Sequence, residues 1–253
     1  MLGGTSKMDS AALLEQGHLA YDQGDFQAAQ KFYTQALAQE PDSEAAHYNL
    51  ANALMQLKQP KQALPHYENA LILNPLRAKT YNNIGLLHKQ LQNWEEAVSW
   101  FHKTLEVDPA YFRACNNLGN LYASLGEPEQ AESWYLRCLV LEPRHVSALF
   151  NLGHLYNEIG RYGEAARLYS NLLDLDPHNA PAWCELGFLA QEAGDTAQAL
   201  NCWQRALEAN PDHVPSLVHL ARLCQETGQL EMAKELYTRI QAWGEQSDGI
   251  CWN

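Results

Sequence analysis

Apolar and small residues fall along this chain in two short helical stripes that keep returning. Leu149, Leu152, Gly153 and Tyr156 occupy the i, i+3, i+4, i+7 places of one helix face. Ala165, Tyr169 and Leu172 form a second stripe a few residues later. Moved by 34 residues, the same pair of stripes reappears through seven units: 10–43, 44–77, 78–111, 112–145, 146–179, 180–213 and 214–247. Position 20 of every unit is alanine, from Ala29 to Ala233. Position 8 is glycine or alanine, and position 24 is aromatic: Tyr33, Tyr67, Phe101, Tyr135, Tyr169, Trp203 and Tyr237. No segment alternates with the period of a strand. The pattern predicts two helices per unit, with small residues letting the pair approach closely and the aromatic filling the space above them.

The breaks between stripes are also periodic. Position 15 is glycine in five units, Gly24, Gly126, Gly160, Gly194 and Gly228, which suits a helix end with positive φ. Position 32 is proline in six units, Pro41, Pro75, Pro109, Pro143, Pro177 and Pro211, which ends the second helix. The departures are local. Thr104 and Cys138 replace a small alanine at position 27, and Glu245 stands where a seventh proline would. Pro60 and Pro65 fall early in the second helix of the second unit, where a late or kinked start is expected.

These residues resemble the tetratricopeptide repeat: an aromatic or apolar residue, Leu-Gly, Ala, an aromatic, Ala and Pro in fixed order. The third unit carries Tyr81, Ile84-Gly85, Ala97, Phe101 and Pro109, and the sixth Trp183, Leu186-Gly187, Ala199, Trp203, Ala206 and Pro211. The likeness covers residues 10 to about 243. It implies an all-α fold, a right-handed α-solenoid superhelix of seven hairpins, with the first helix of each on a concave wall. On this reading 1–9 is a flexible leader and 244–253 a C-terminal tail. Ile250, Cys251 and Trp252 of that tail are expected to fold over the last helix, or two copies to meet there.

Composition narrows the functional classes. A net charge of −13 from 17 Lys+Arg and 30 Asp+Glu argues against a nucleic-acid surface. No apolar run approaches the roughly 20 residues of a membrane span, and no secretory leader is visible, so a cytoplasmic location is expected. The six cysteines form no CxxC pair and the ten histidines no HxxxH or HExxH, so neither a metal site nor a disulfide framework is expected. Phosphate-binding and nucleophile-elbow motifs are absent, so neither a cofactor nor catalysis is expected. His145, His178 and His213 sit at hairpin ends as solvated or capping groups; His47 and His88 lie on the core stripe.

The informative signal lies on the first helices. Position 6 reads Glu15, Asn49, Asn83, Asn117, Asn151, Glu185, His219, with Asn52 and Asn120 beside the asparagines. Nothing in a hairpin core asks for asparagine there, and an amide offers both donor and acceptor. The row is similar to the asparagine ladders in the superhelix of O-linked N-acetylglucosamine transferases and in kinesin light chains. That resemblance implies bonds to the backbone of an extended peptide. The carboxylate clamp of chaperone-binding repeats is matched poorly: its register gives Tyr48, Asn52, Asn83, Arg113 and Asn117, with one basic residue in place of three. Lys79, Lys89 and Arg113 supply positive charge beside the row, while Glu158, Glu185, Glu192 and Glu226 make the later first helices acidic. The expected function is a non-enzymatic scaffold for an extended peptide or partner segment. The rivals are a substrate-recognition module serving a separate enzyme such as a glycosyltransferase, and a self-assembling structural protein that stacks end to end; a homo-oligomer through the C-terminal repeat is a further expectation. If the asparagines only face the ligand, their replacement by alanine leaves the melting temperature nearly unchanged.

Overall fold

A computed structural model describes residues 9–247; residues 1–8 of the leader, and Ile250, Cys251 and Trp252, lie outside them. Fourteen helices and no strand occur among the described residues. The chain divides between Leu125 and Gly126 into two compact units. The first holds α1 (Ser10–Asp22), α2 (Phe26–Gln39), α3 (Glu44–Gln56), α4 (Pro60–Leu73), α5 (Ala78–Gln90), α6 (Trp94–Val107) and α7 (Phe112–Ser124). The second holds α8 (Pro128–Leu141), α9 (Val146–Glu158), α10 (Tyr162–Leu175), α11 (Ala180–Glu192), α12 (Thr196–Ala209), α13 (Val214–Glu226) and α14 (Leu230–Ser247). Within each, α1 packs on α2, α3 on α4, α5 on α6, α9 on α10, α11 on α12 and α13 on α14. Each second helix also packs on the next first helix, as α2 does on α3 and α10 on α11.

The core is built from the repeated positions. The alanines of position 20 are buried in every unit, and at position 27 Ala36, Ala70, Thr104, Cys138, Leu172 and Ala206 are buried as well. Thr104 fits because its hydroxyl donates to the carbonyl of Trp100 one turn back, at 2.9 Å. The aromatics of position 24 cover the residues at position 8. A Cβ on Gly17 would lie 2.4 Å from Tyr33, and one on Gly187 2.4 Å from Trp203 Nε1, so glycine is required at both places by contact. Burying each such ring contributes about 1.5–3 kcal/mol. Six of these rings are 2% exposed or less, whereas Tyr237 in the last repeat is 39% exposed.

The turn inside each hairpin is left-handed in all seven units. The five glycines of position 15 have φ between 75° and 80°, and Lys58 and Gln92 adopt 59° and 61° in the same place. The next residue then donates back across the turn, as Asp25 does to Ala20 at 2.9 Å and Gln59 to Leu54 at 2.9 Å. Register therefore holds even where glycine is missing, at a cost of roughly 1–2 kcal/mol for each side chain forced into this region. Side chains close many of the N-termini: Asp9, Asp25, Ser43, His145, Asn179 and Asp195 accept the N–H three residues on, each contributing about 1 kcal/mol. The late start expected from Pro65 does not occur. α4 begins in the same register as its counterparts, because a proline at the first helical position has no intrahelical N–H to lose. Pro65 is carried inside it, at the loss of one bond to the carbonyl of Lys61.

Candidate functional site: the asparagine row and its cleft

All four asparagines of position 6 are half-buried on first helices: Asn49 on α3, Asn83 on α5 and Asn117 on α7 in the first unit, Asn151 on α9 in the second. In the first unit their amide nitrogens reach back to the preceding first helix. Asn49 Nδ2 donates to His18 Nε2 at 2.8 Å. Asn83 Nδ2 donates to Asn52 Oδ1 at 2.9 Å and to the Tyr48 hydroxyl at 3.1 Å. Asn117 Nδ2 donates to Asn82 Oδ1 at 2.9 Å. Asn52 also accepts from the Tyr67 hydroxyl at 2.7 Å, tying the position-24 ring of α4 into the same cluster. Burial raises the pKa of that hydroxyl, more than the Asn83 amide lowers it, so Tyr67 stays a neutral donor. The expectation that nothing in the hairpins needs these asparagines is thus corrected. They bridge consecutive first helices through partners one place before or three places after the equivalent position in the unit behind.

Between α1, α3 and α5 this network floors a cleft of about 590 Å³, whose walls include Asn49, Asn52, Asn83 and Lys79. The structure thus brings four of the expected site residues together. Asn117 and Asn120, half-buried on α7, Lys89, half-buried on α5, and Arg113, exposed with its guanidinium 4.8 Å from the Phe112 ring, belong to the same unit but not to these walls. Asn151 belongs to the second unit. Lys79 is exposed, its Nζ 5.6 Å from the centroid of the Tyr48 ring. Arg77 lies over that ring at 3.8 Å and pairs with Glu44, which fixes Tyr48 as a wall of the cleft. The residues missed by sequence reasoning are His18, Tyr21, Asp22, Tyr33, Met55, Gln56, Tyr67 and Leu86, which with Tyr48 complete the lining. Tyrosine in place of phenylalanine at position 24 was the available signal, because a hydroxyl on a core ring needs a polar partner.

In the second unit, Glu185 on α11 and His219 on α13 take the place of asparagine. His219 stacks on Trp203 at 5.1 Å and 10°, and its pKa is lowered by burial and then by Arg222. Glu185 accepts from Asn157 Nδ2 at 3.3 Å. Burial raises its pKa against the opposing influence of His154 and that bond. His47 meets His66 on the far side of the first unit, Nδ1 to Nδ1 at 3.0 Å, with His47 Nε2 donating to the Pro41 carbonyl at 3.0 Å. His47 is therefore the acceptor in the pair and His66 the donor.

Tetratricopeptide repeat family models match residues 20–81 and 190–249, 76–141, 116–180 and 168–201, so that between them they run through nearly all of the paired helices. The chain belongs to the tetratricopeptide repeat family. Among solved structures, PilF of Pseudomonas aeruginosa is similar at a TM-score of 0.71 and 22% identity, covering 84% of this chain and 97% of that one. YrrB, described as a tetratricopeptide repeat protein with an unusual peptide-binding site, is similar at 0.57 and 24%, covering 74% and 96%. PilW, a type IV pilus biogenesis factor, is similar at 0.68 and 21%, covering 79% and 92%. At these identities the likeness is one of fold. No curated protein sequence matches the chain. Proteins built of these repeats are generally protein-interaction scaffolds, and among the described residues no helix is long and apolar enough to cross a membrane.

Proposed function

We propose that this chain is a non-enzymatic scaffold that holds an extended peptide, or an extended segment of a partner protein, along its first helices. The observation that carries the reading is the cleft of about 590 Å³ floored by Asn49, Asn52 and Asn83. Both N–H groups of the Asn83 amide have partners within the protein, on Asn52 and Tyr48. Its carbonyl oxygen is then the group offered to a ligand, and the natural complement is a backbone N–H. The network holds that oxygen in place before binding, which lowers the entropy cost of association. Successive first helices lie about 10 Å apart and an extended chain advances about 3.3 Å per residue, so one asparagine meets every third ligand residue. Backbone bonds do not read side chains; selectivity falls to the walls, where Lys79 favours an acidic neighbour and Met55, Leu86 and the tyrosines favour apolar ones. Asn117, Asn120, Lys89 and Arg113 extend the same surface along α5 and α7, and Asn151 holds the same repeat position on α9 of the second unit. The peptide-binding site named for YrrB gives the reading a precedent on this fold.

The test is selection from a display library of random dodecapeptides, followed by titration of the selected peptide into wild type and Leu86→Arg. Leu86 is 37% exposed on the cleft wall, so arginine there obstructs the cleft without entering the core. Wild type should select peptides, and the folded variant should bind them at least tenfold more weakly. Failure of wild type to select any peptide, or equal binding by the variant, would overturn the reading.

A further inference from the structure

The hydroxyl of Tyr169 is buried and makes no hydrogen bond. Its counterpart three repeats earlier shows what belongs there: Tyr67 donates to Asn52 at 2.7 Å and lies 3.5 Å from the amide of Asn83. Moved by three units of 34 residues, those two places are held by His154 and Glu185. The ring of Tyr169 passes over Gly153, where an added Cβ would meet it at 2.8 Å, so its hydroxyl end projects toward the first-helix face as that of Tyr67 does. Burial first, and then the charges of Glu185 and Glu158, raise the pKa of that hydroxyl and keep it protonated. His154 faces Glu158 at 3.7 Å. Glu185 is half-buried, and its bond from the Asn157 amide is a long one for a carboxylate. Among the described residues His154 is the one basic group that bears on it. This corner therefore holds a partly desolvated carboxylate with no lysine or arginine beside it, next to a buried hydroxyl with nothing to bond.

We propose that the corner formed by Tyr169, Glu185 and Glu158 receives the cationic side chain, lysine or arginine, of a peptide bound along the first helices of the second unit; this rests on the peptide-binding reading above. An ammonium or guanidinium there donates to the Glu185 carboxylate and to the oxygen of Tyr169, giving the carboxylate a counter-ion and the hydroxyl the partner it lacks. A charge-assisted bond in a partly desolvated site is among the stronger side-chain interactions. A neutral ligand side chain would leave the hydroxyl unbonded and keep the carboxylate buried without a counter-ion.

The experiment uses the same random dodecapeptide library on the full chain and on Glu185→Gln, which keeps the shape and removes the charge. Wild type should select peptides with lysine or arginine enriched at one position, and the variant should select peptides without that enrichment. Replacing the selected arginine by its uncharged isostere citrulline should weaken binding to wild type by about tenfold or more and to the variant by less than about twofold. The citrulline comparison on wild type stands even if the variant folds poorly. Peptides selected without basic enrichment, or citrulline bound as tightly as arginine, would overturn this inference and leave the scaffold reading intact. Selection of no peptide by wild type would overturn both.

Discussion

Replacing Asn83 by alanine separates a structural asparagine from one that only wets a surface. The side chain makes two good bonds, to Asn52 at 2.9 Å and Tyr48 at 3.1 Å, and a weaker approach to Tyr67 at 3.5 Å. At about 0.5–1.5 kcal/mol per bond the loss is about 1–3 kcal/mol. Alanine returns about 0.5 kcal/mol through its better helix propensity, and Asn52 keeps its bond from the Tyr67 hydroxyl, so no buried acceptor is stranded. The net destabilisation should be about 0.5–2.5 kcal/mol, equivalent to a few degrees in melting temperature for a unit of this size. Thermal and urea melts followed by far-UV circular dichroism would measure it. A double-mutant cycle with Asn52→Ala should return a coupling of about 0.5–1.5 kcal/mol. Asn49→Ala, which loses one bond to His18, should cost less. An Asn83→Ala protein as stable as wild type, with no coupling to Asn52, would refute the bridging role and restore the simpler expectation drawn from the sequence.

Lys58→Gly and Gln92→Gly should each raise stability by about 0.5–1 kcal/mol, because both side chains are held at positive φ; melts that fall would show that the strain is compensated. Gly187→Ala should cost about 1–3 kcal/mol, since its Cβ would press on the buried indole of Trp203, which donates to the Cys184 carbonyl at 3.2 Å. Gly163→Ala, with nothing within 4 Å of its Cβ, should stabilise α10 by about 0.5–1 kcal/mol in the same assay. The pKa of His66 is lowered by burial and by His47, so the folded protein binds fewer protons there than the unfolded chain. Its contribution is lost as pH falls below about 6.5 and on through the lowered folded value. His66→Gln should therefore flatten the decline of melting temperature between pH 7 and 5; an unchanged slope would show that the pair does not titrate in that window.

The fold was legible because its determinants recur. One alanine or one proline says little, but Ala29 to Ala233 and Pro41 to Pro211 at a constant interval give the hairpin, its close approach and its end. The turn at position 15 was legible in five units and hidden in two, since Lys58 and Gln92 carry no local sign of a left-handed backbone; only the register assigns it to them. The small residues of position 3, from Ala46 to Ser216, escaped notice although they are fully buried, because a small residue on a helix is as common outside a core as in one. The candidate site was half legible. The asparagine row is visible as a column, but its bonds run to Asn52, Tyr48 and Asn82, off the column by one or three places. That geometry exists only once neighbouring helices are packed. The cleft itself depends on Tyr33 and Tyr67, whose rings read as core and whose hydroxyl ends line the site.

The most direct test of backbone recognition by the asparagine row is an N-methyl scan of the selected peptide, followed by calorimetric titration into the wild-type protein. If asparagine carbonyls accept ligand N–H groups once per repeat, methylation should weaken binding with a period of three residues, by about 2–12-fold at the sensitive positions, and leave those between nearly unaffected. Alanine replacement of the ligand side chains should show no such period. An N-methyl profile that is flat, or that falls equally at every position, would contradict the account.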